Sequence, residues 1–211
     1  FRTSLAPPGR VGRAASAWST DQAYMGHFAL TDAGARRFRA FERFARGAQG
    51  LAGAQAEPVR VWIEDWSLEG RGGAPTGHDA PVSADAADAF PLRLRAADGD
   101  VALDLVLEAG KPRVLQGERG LSPKGPAPGN ASYYYSHTRM PTSGTVVLGA
   151  DTLRATGLSW LDREWSTSAL SDGVVGWDWF ALQLDDGWDL MVYALRRADG
   201  SAHPLSAGVL V

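Results

Sequence analysis

Gly176-Trp-Asp-Trp-Phe-Ala-Leu-Gln-Leu184 and Trp188-Asp-Leu-Met-Val-Tyr-Ala-Leu-Arg196 stand on either side of Asp185-Asp186-Gly187. Two runs rich in aromatic and apolar residues, joined by an Asp-Gly turn, spell a β-hairpin. Glycine takes the left-handed backbone a tight turn demands. The same grammar recurs upstream. Val101-Ala-Leu-Asp-Leu-Val-Leu107 puts Val101, Leu103, Leu105 and Leu107 on one face, a period of two. Val59 to Trp66, Thr145 to Leu148 and Leu153 to Trp165 are further runs, the last two separated by a Gly-Ala-Asp turn, and Ala198-Asp199-Gly200 marks another turn. Many short strands at this spacing predict an all-β sandwich or barrel.

Three segments read less simply. Arg36 to Arg46 carries Phe38, Phe41 and Phe44 at a helical spacing of three, and also alternates as Phe38, Ala40, Glu42, Phe44. Periodicity leaves helix and strand both open there. Ala84 to Ala89 is compatible with one short helical turn. Ser67 to Pro81 and Gly117 to Asn130 read as long loops, which in compact domains are often functional.

Composition removes whole classes of function. The 211 residues carry a formal net charge of −3, which offers no electrostatic case for nucleic acid or anionic lipid. Cysteine is absent, so disulfides, thiolate metal sites and a cysteine nucleophile are excluded. No apolar run is long enough to span a bilayer as a helix. No signal peptide is visible, but the chain starts at Phe1 and stops at Val211 inside a strand-like run, so both ends read as cut.

Six of the eight tryptophans form pairs next to carboxylates: Trp62 and Trp66 with Glu64 and Asp65, Trp160 and Trp165 with Asp162 and Glu164, Trp177 and Trp179 with Asp178. The plain reading has tryptophans filling a barrel and acids facing water. Strand parity gives a sharper one. In Leu158-Ser-Trp-Leu-Asp-Arg-Glu-Trp165, Trp160, Asp162 and Glu164 share a face with Leu158. If that face is buried, desolvation raises the pKa of one acid and makes it a proton donor. Asp178 has the opposite parity to Trp177 and Trp179, so it is inside only if Phe180 is. Tyr134 faces away from Tyr133 and Tyr135, and its hydroxyl, if buried, needs a polar partner. Tyr193 is a further candidate wall.

His27 lies in a strand-like run and reads more naturally as a hydrogen-bonded structural residue than as a catalyst. His78, His137 and His203 show no ligand spacing with one another or with carboxylates, so no metal is expected. No Gly-x-Ser-x-Gly elbow, phosphate loop or dinucleotide fingerprint occurs, and no cofactor is implied. Ser136 and His137 are sequence neighbours, which on a strand point apart.

Taken in order, the blocks Gly26-His-Phe-Ala-Leu-Thr-Asp32, Phe41-Glu-Arg-Phe-Ala-Arg-Gly47, Val61-Trp-Ile-Glu-Asp-Trp66, Gln116-Gly-Glu-Arg-Gly-Leu-Ser-Pro-Lys-Gly125, Ala131-Ser-Tyr-Tyr-Tyr-Ser136, Gly157-Leu-Ser-Trp-Leu-Asp-Arg-Glu-Trp-Ser166 and Gly176-Trp-Asp-Trp-Phe180 cover most of the chain. As an ordered set they resemble the lipocalin-like carotenoid 1,2-hydratase (hydroxyneurosporene synthase) family, including its branch of predicted secreted hydrolases. The resemblance implies two consecutive antiparallel lipocalin-like barrels. Residues 1–170 would be most of the first and 171–211 the start of the second. A further strand would precede Phe1 and most of the second barrel would follow Val211. It also implies that Arg36 to Arg46 is a strand, that the protein is periplasmic or secreted, and that peripheral contact with a membrane is compatible with its ligand. The hydratases of the family carry a histidine where this chain has Arg163.

Two functions follow as expectations. One is an enzyme adding water or a proton to an apolar, isoprenoid- or polyene-like substrate. Asp162 or Glu164 would be its acid, Asp178, Tyr134 or His27 an assistant, and Trp62, Trp66, Trp160, Trp165, Trp177, Trp179 and Tyr193 its walls. The other is a non-catalytic carrier of a lipid or isoprenoid. A hydrolase is the weaker third. A barrel short of strands exposes an edge, so low stability of this piece is also expected.

Overall fold

The computed structural model describes residues 2–4, 17–70, 89–125, 129–166 and 172–211. Every regular element of two or more residues among them is a β-strand: β1 (Arg2–Ser4), β2 (Gln22–Asp32), β3 (Arg37–Arg46), β4 (Ala52–Gln55), β5 (Arg60–Ile63), β6 (Trp66–Gly70), β7 (Leu92–Asp98), β8 (Val101–Leu107), β9 (Val114–Leu115), β10 (Leu121–Pro123), β11 (Ala131–Leu148), β12 (Asp151–Ser166), β13 (Val174–Gln183), β14 (Asp189–Arg197) and β15 (Ala207–Leu210). The fold is all-β, antiparallel and lipocalin-like. It packs as two compact units, Phe1–Glu108 with Thr142–Thr156, and Ala109–Pro141 with Gly157–Val211.

In the first unit, β2 and β3 pair over ten residues, from Ala23 opposite Arg46 to Asp32 opposite Arg37. That ladder decides the ambiguous phenylalanine segment in favour of a strand. Spacing of three divides the phenylalanines between faces: Phe41 packs inward while Phe38 and Phe44 are exposed. The turn into β3 is closed by Asp32, whose carboxylate accepts from the Ala35 amide, and Arg36 takes a left-handed conformation (φ 52°). Strands β4 to β8 form a meander that β11 extends, with Thr142–Leu148 opposite Leu107–Val101. The core beneath holds Tyr24, Phe28, Ile63, Trp66 and Val101. Phe28 stacks on Phe41 at 5.4 Å and meets Trp66 edge-on at 5.8 Å. Full burial of one such ring contributes roughly 1.5–3 kcal/mol.

In the second unit, β13 and β14 form the expected hairpin about Asp185-Asp186-Gly187, with Trp179 opposite Tyr193 and Gln183 opposite Asp189, and β15 adds to β14. Residues 131–136 of β11 take β10 and β9 as partners. The core holds Tyr134, Val174, Met191, Tyr193 and Leu195, with Trp160 and Leu205 packed against it.

Two loop expectations need correction. Ser67 to Gly70 belongs to β6, because its residues pair with Leu92–Arg95 of β7. The Gly117–Asn130 loop contains β10, paired to β11 from Leu121 opposite Tyr133 to Pro123 opposite Ala131. Residues 71–81 of the first of these loops, 126–128 of the second, and 84–88 of the expected helical turn lie outside the described residues.

Candidate functional site

The site grows from one face of β11. Alternate residues Ser132, Tyr134, Ser136, Thr138 and Met140 are all buried, so a strand that should carry hydrocarbon inward carries four hydroxyls instead. Buried hydroxyls need partners. Ser136, fully buried, donates to Asp162 Oδ1 at 2.5 Å and accepts from Gln116 Nε2 at 2.8 Å. Trp160 Nε1 donates to the same Asp162 oxygen at 2.9 Å. The Tyr134 hydroxyl hydrogen-bonds Asp162 and accepts from Trp179 Nε1 at 3.2 Å. Burial first, and the Asp162 charge second, push the Tyr134 phenol well above the ordinary tyrosine range. It therefore stays a neutral hydroxyl at any physiological pH.

Each element of this cluster is placed by a local cause. Gln116 precedes Gly117, whose φ of 64° and closeness to the Leu121 carbonyl exclude a side chain, and its amide N–H donates to the Tyr134 carbonyl at 3.0 Å. Asp162 and Trp160 lie two residues apart on β12, so they share a face, as strand parity requires. Lys124 follows β10. Its Nζ lies 2.9 Å from Glu164 Oε1, 4.7 Å from the centre of the Tyr193 ring and 5.6 Å from that of Tyr134. Beside this cluster is a pocket of about 280 Å³ lined by Gln116, Ser122, Met191, Tyr193, Leu205 and Val209 among others.

A second polar group closes the same unit. Asp189, fully buried, accepts from Thr138 Oγ1 at 2.8 Å and pairs with Arg139 at 2.7 Å and Lys111 at 3.2 Å. Burial alone would raise its pKa, but these hydrogen bonds outweigh burial and hold it below the usual carboxylate range. With every oxygen committed to a cation or hydroxyl, Asp189 is a structural clamp.

The residues singled out from sequence separate clearly. Tyr134, Trp160, Asp162, Trp179 and Tyr193 come together in the second unit. Glu164 is paired to Lys124 and 40 % exposed, and Leu158, expected on a buried face, is 47 % exposed. Parity holds along β12, but cover does not extend beyond Trp160 and Asp162, so the expectation of two sheltered acids reduces to one. Trp177 shares the Trp179 face, and both are exposed, Trp177 at 56 % and Trp179 at 40 %. Asp178 points to the opposite face, beside Arg196 at 3.6 Å. Trp165 is exposed, stacked on Tyr133 on the outer side of β11. His27, Trp62 and Trp66 belong to the first unit and are satisfied within it. His27 bonds Glu42 at 3.1 Å in the open, Trp62 donates to the Gly50 carbonyl and lies against Arg60, and Trp66 donates to the Ala97 carbonyl beneath Arg43. Among the described residues no three His, Asp or Glu side chains group as a metal site would.

Gln116, Ser136 and Lys124 were not legible as site residues. The signal was the polar alternation Ser132, Tyr134, Ser136, Thr138. In a lone sequence, that pattern reads as a water-facing side.

The whole chain, residues 1–211, matches the model of the AttH-like family. The chain belongs to that family. It is similar to the crystal structure of a protein assigned as AttH from Nitrosomonas europaea, with 31% identity and a TM-score of 0.74 over 93% of this chain and 55% of the other. It also shares its fold with kievitone hydratase from Nectria haematococca, at 11% identity and a TM-score of 0.61, over 90% of this chain and 54% of the other. The chain thus spans little more than half the length of these AttH-like and hydratase structures. No curated protein matches it significantly.

Proposed function

We propose that this AttH-like chain contributes the proton-handling site of a hydratase-type enzyme acting on an apolar, unsaturated small molecule. Asp162 carries that reading. It is a half-buried carboxylate among tryptophans, and no cation forms an ion pair with it among the described residues, in contrast to Glu164, Asp178 and Asp189. Hydroxyl and indole donors converge on one of its oxygens, an arrangement suited to a proton acceptor.

The chemistry follows from that polarity. Asp162 takes a proton from water as the water oxygen bonds to one alkene carbon. The π electrons move to the second carbon and onto a conjugated oxygen of the substrate, while Tyr134, whose one proton is given to Asp162, holds that carboxylate in place. Asp162 then returns the proton to the second carbon, and one water has been added. Tyr134 never ionises, consistent with its raised pKa. The carotenoid-type reaction uses the same group in the opposite order, protonating an isolated double bond first, with Trp160 and Trp179 facing the cation. The donors on Asp162 favour the base-first order, and hence an electron-poor double bond. The same reading carries two consecutive lipocalin-like domains meeting near residue 170 and a periplasmic or secreted setting.

The test is to incubate the purified full-length protein with a lycopene-like polyene and with a conjugated aryl enone in H2¹⁸O. Mass gain of one labelled water is the readout. Product from the enone, lost in Asp162→Asn, supports base-first hydration, and product from the polyene supports the acid-first order. A ligand retained unchanged marks a carrier, and turnover undiminished by Asp162→Asn removes Asp162 from the mechanism.

A further inference from the structure

Tyr133, Tyr135 and His137 have the opposite parity to the buried row of β11, so they stand on its outer side. Trp165 joins them from β12, stacked on Tyr133 at 5.7 Å and edge-on to Tyr135 at 6.2 Å. Leu121 of β10 lies opposite Tyr133, and Leu115 of β9 lies opposite Tyr135. Cross-strand partners share a face, so both leucines belong to this one. Tyr133 is 58 % exposed, Trp165 51 %, Leu115 46 % and Leu121 42 %. Together they present on the order of 400 Å² of apolar and aromatic surface, the size at which a patch on a soluble protein is often functional.

The strands of this face carry charge of one sign. Arg113 sits over the Tyr135 ring at 5.3 Å, and Arg163 shares the outer face with Trp165 by strand parity. Both arginines are exposed, and neither forms an ion pair with a described residue. The acids of β12 turn the other way, Asp162 to Ser136 and Glu164 to Lys124. β9, β10 and residues 131–137 of β11 hold no acid, and in the exposed turn between β9 and β10 Glu118 is offset by Arg119. Burial first, and the Arg113 charge second, lower the pKa of His137, which leaves the arginines as the charges here. The net charge of −3 does not describe such a face, because salt screens each exposed charge beyond about 8 Å. We propose that this face docks the protein on an anionic phospholipid membrane, with Arg113 and Arg163 on lipid phosphates and the Trp165 and Tyr133 rings at the headgroup boundary. Guanidinium groups pair with phosphate, and indole and phenol rings favour the layer where headgroup meets acyl chain. A soluble anion would leave the rings in water, and an apolar protein patch would bury two guanidinium groups without an acid. The face lies on the opposite side of β12 from Asp162, so docking here and hydration there are independent.

The experiment is co-sedimentation of the full-length protein with vesicles of phosphatidylcholine alone and of phosphatidylcholine mixed with phosphatidylglycerol. Partition should favour the mixed vesicles and fall as salt is raised from about 0.1 M to about 1 M. Arg113→Gln with Arg163→Gln should weaken it about 30-fold, at about fivefold for each cation lost near a charged surface. Tyr133→Ser with Trp165→Ser should weaken it by more than about tenfold. Phe180→Ser with Leu182→Ser, a similarly exposed pair on β13, should leave partition unchanged. Equal partition onto the two kinds of vesicle, or binding undiminished by the arginine or ring substitutions, overturns the proposal. So does absence of vesicle binding, the result if a second copy or the rest of the full-length chain covers this face. Neither arginine contributes to the core, so that variant decides the matter should the ring variant fail to fold.

Discussion

Replacing Ser136 with alanine tests the hydrogen-bonded row at its centre. The side chain is 0 % exposed, so water cannot replace the lost hydroxyl without entering the interior. Two bonds disappear. The 2.5 Å bond to the Asp162 carboxylate is of the charged kind, about 1.5–3 kcal/mol. The 2.8 Å bond from Gln116 leaves a second unpaired atom on an amide already missing one partner, a further penalty of about 1–3 kcal/mol. Asp162 keeps Trp160 and Tyr134, which limits the loss at that end. The expected destabilisation is about 3–4 kcal/mol, measured by urea unfolding followed through tryptophan fluorescence. Adding Gln116→Leu to Ser136→Ala should recover about 1–2 kcal/mol, because it removes the unpaired amide together with its former partner. A loss below about 1 kcal/mol for Ser136→Ala, or additivity of the two changes to within about 0.5 kcal/mol, would refute the argument that these side chains act as one unit.

Three further outcomes are expected. Tyr134 has its folded pKa raised, so its contribution is complete below the ordinary tyrosine pKa of about 10 and falls as pH rises above it; stability measured against pH should drop in that alkaline range, with a shallower slope in Tyr134→Phe. Asp189 has its folded pKa depressed, so its contribution is present above the ordinary carboxylate pKa of about 4 and is lost as pH falls below it; Asp189→Asn should cost about 3 kcal/mol at neutral pH and flatten the acid limb of the stability profile. Gly110→Ala should destabilise the second unit, because a Cβ there runs into the Arg139 carbonyl oxygen, and faster amide exchange around Arg139 and Asp189 would show it.

The strands were legible because their signals are local. The Asp-Gly turn at 185–187 and the alternation of Val101 to Leu107 needed nothing beyond neighbours in sequence, and both stand in the structure. The phenylalanine segment was not legible from period alone, since its pairing with β2 is a long-range fact. The site was legible in part. Parity placed Trp160 with Asp162 and turned Asp178 away from Trp179. It failed at Glu164, because parity names a face without saying how far along the strand that face is covered, and Lys124 lies forty residues away in sequence. Ser136 and Gln116 were invisible for the converse reason. A hydroxyl and an amide look hydrophilic until their partners are known, and those partners come from β11, β12 and the turn after β9.

The buried hydroxyl row of β11 also has an evolutionary side. Valine or alanine in place of Ser132 or Ser136 would suit a greasy interior better than serine does, once the matching amide or acid were also changed. Selection for heat resistance alone would therefore be expected to erase the row one position at a time. A laboratory lineage bred only to survive boiling should end with a sturdier protein in which hydrocarbon has replaced the row.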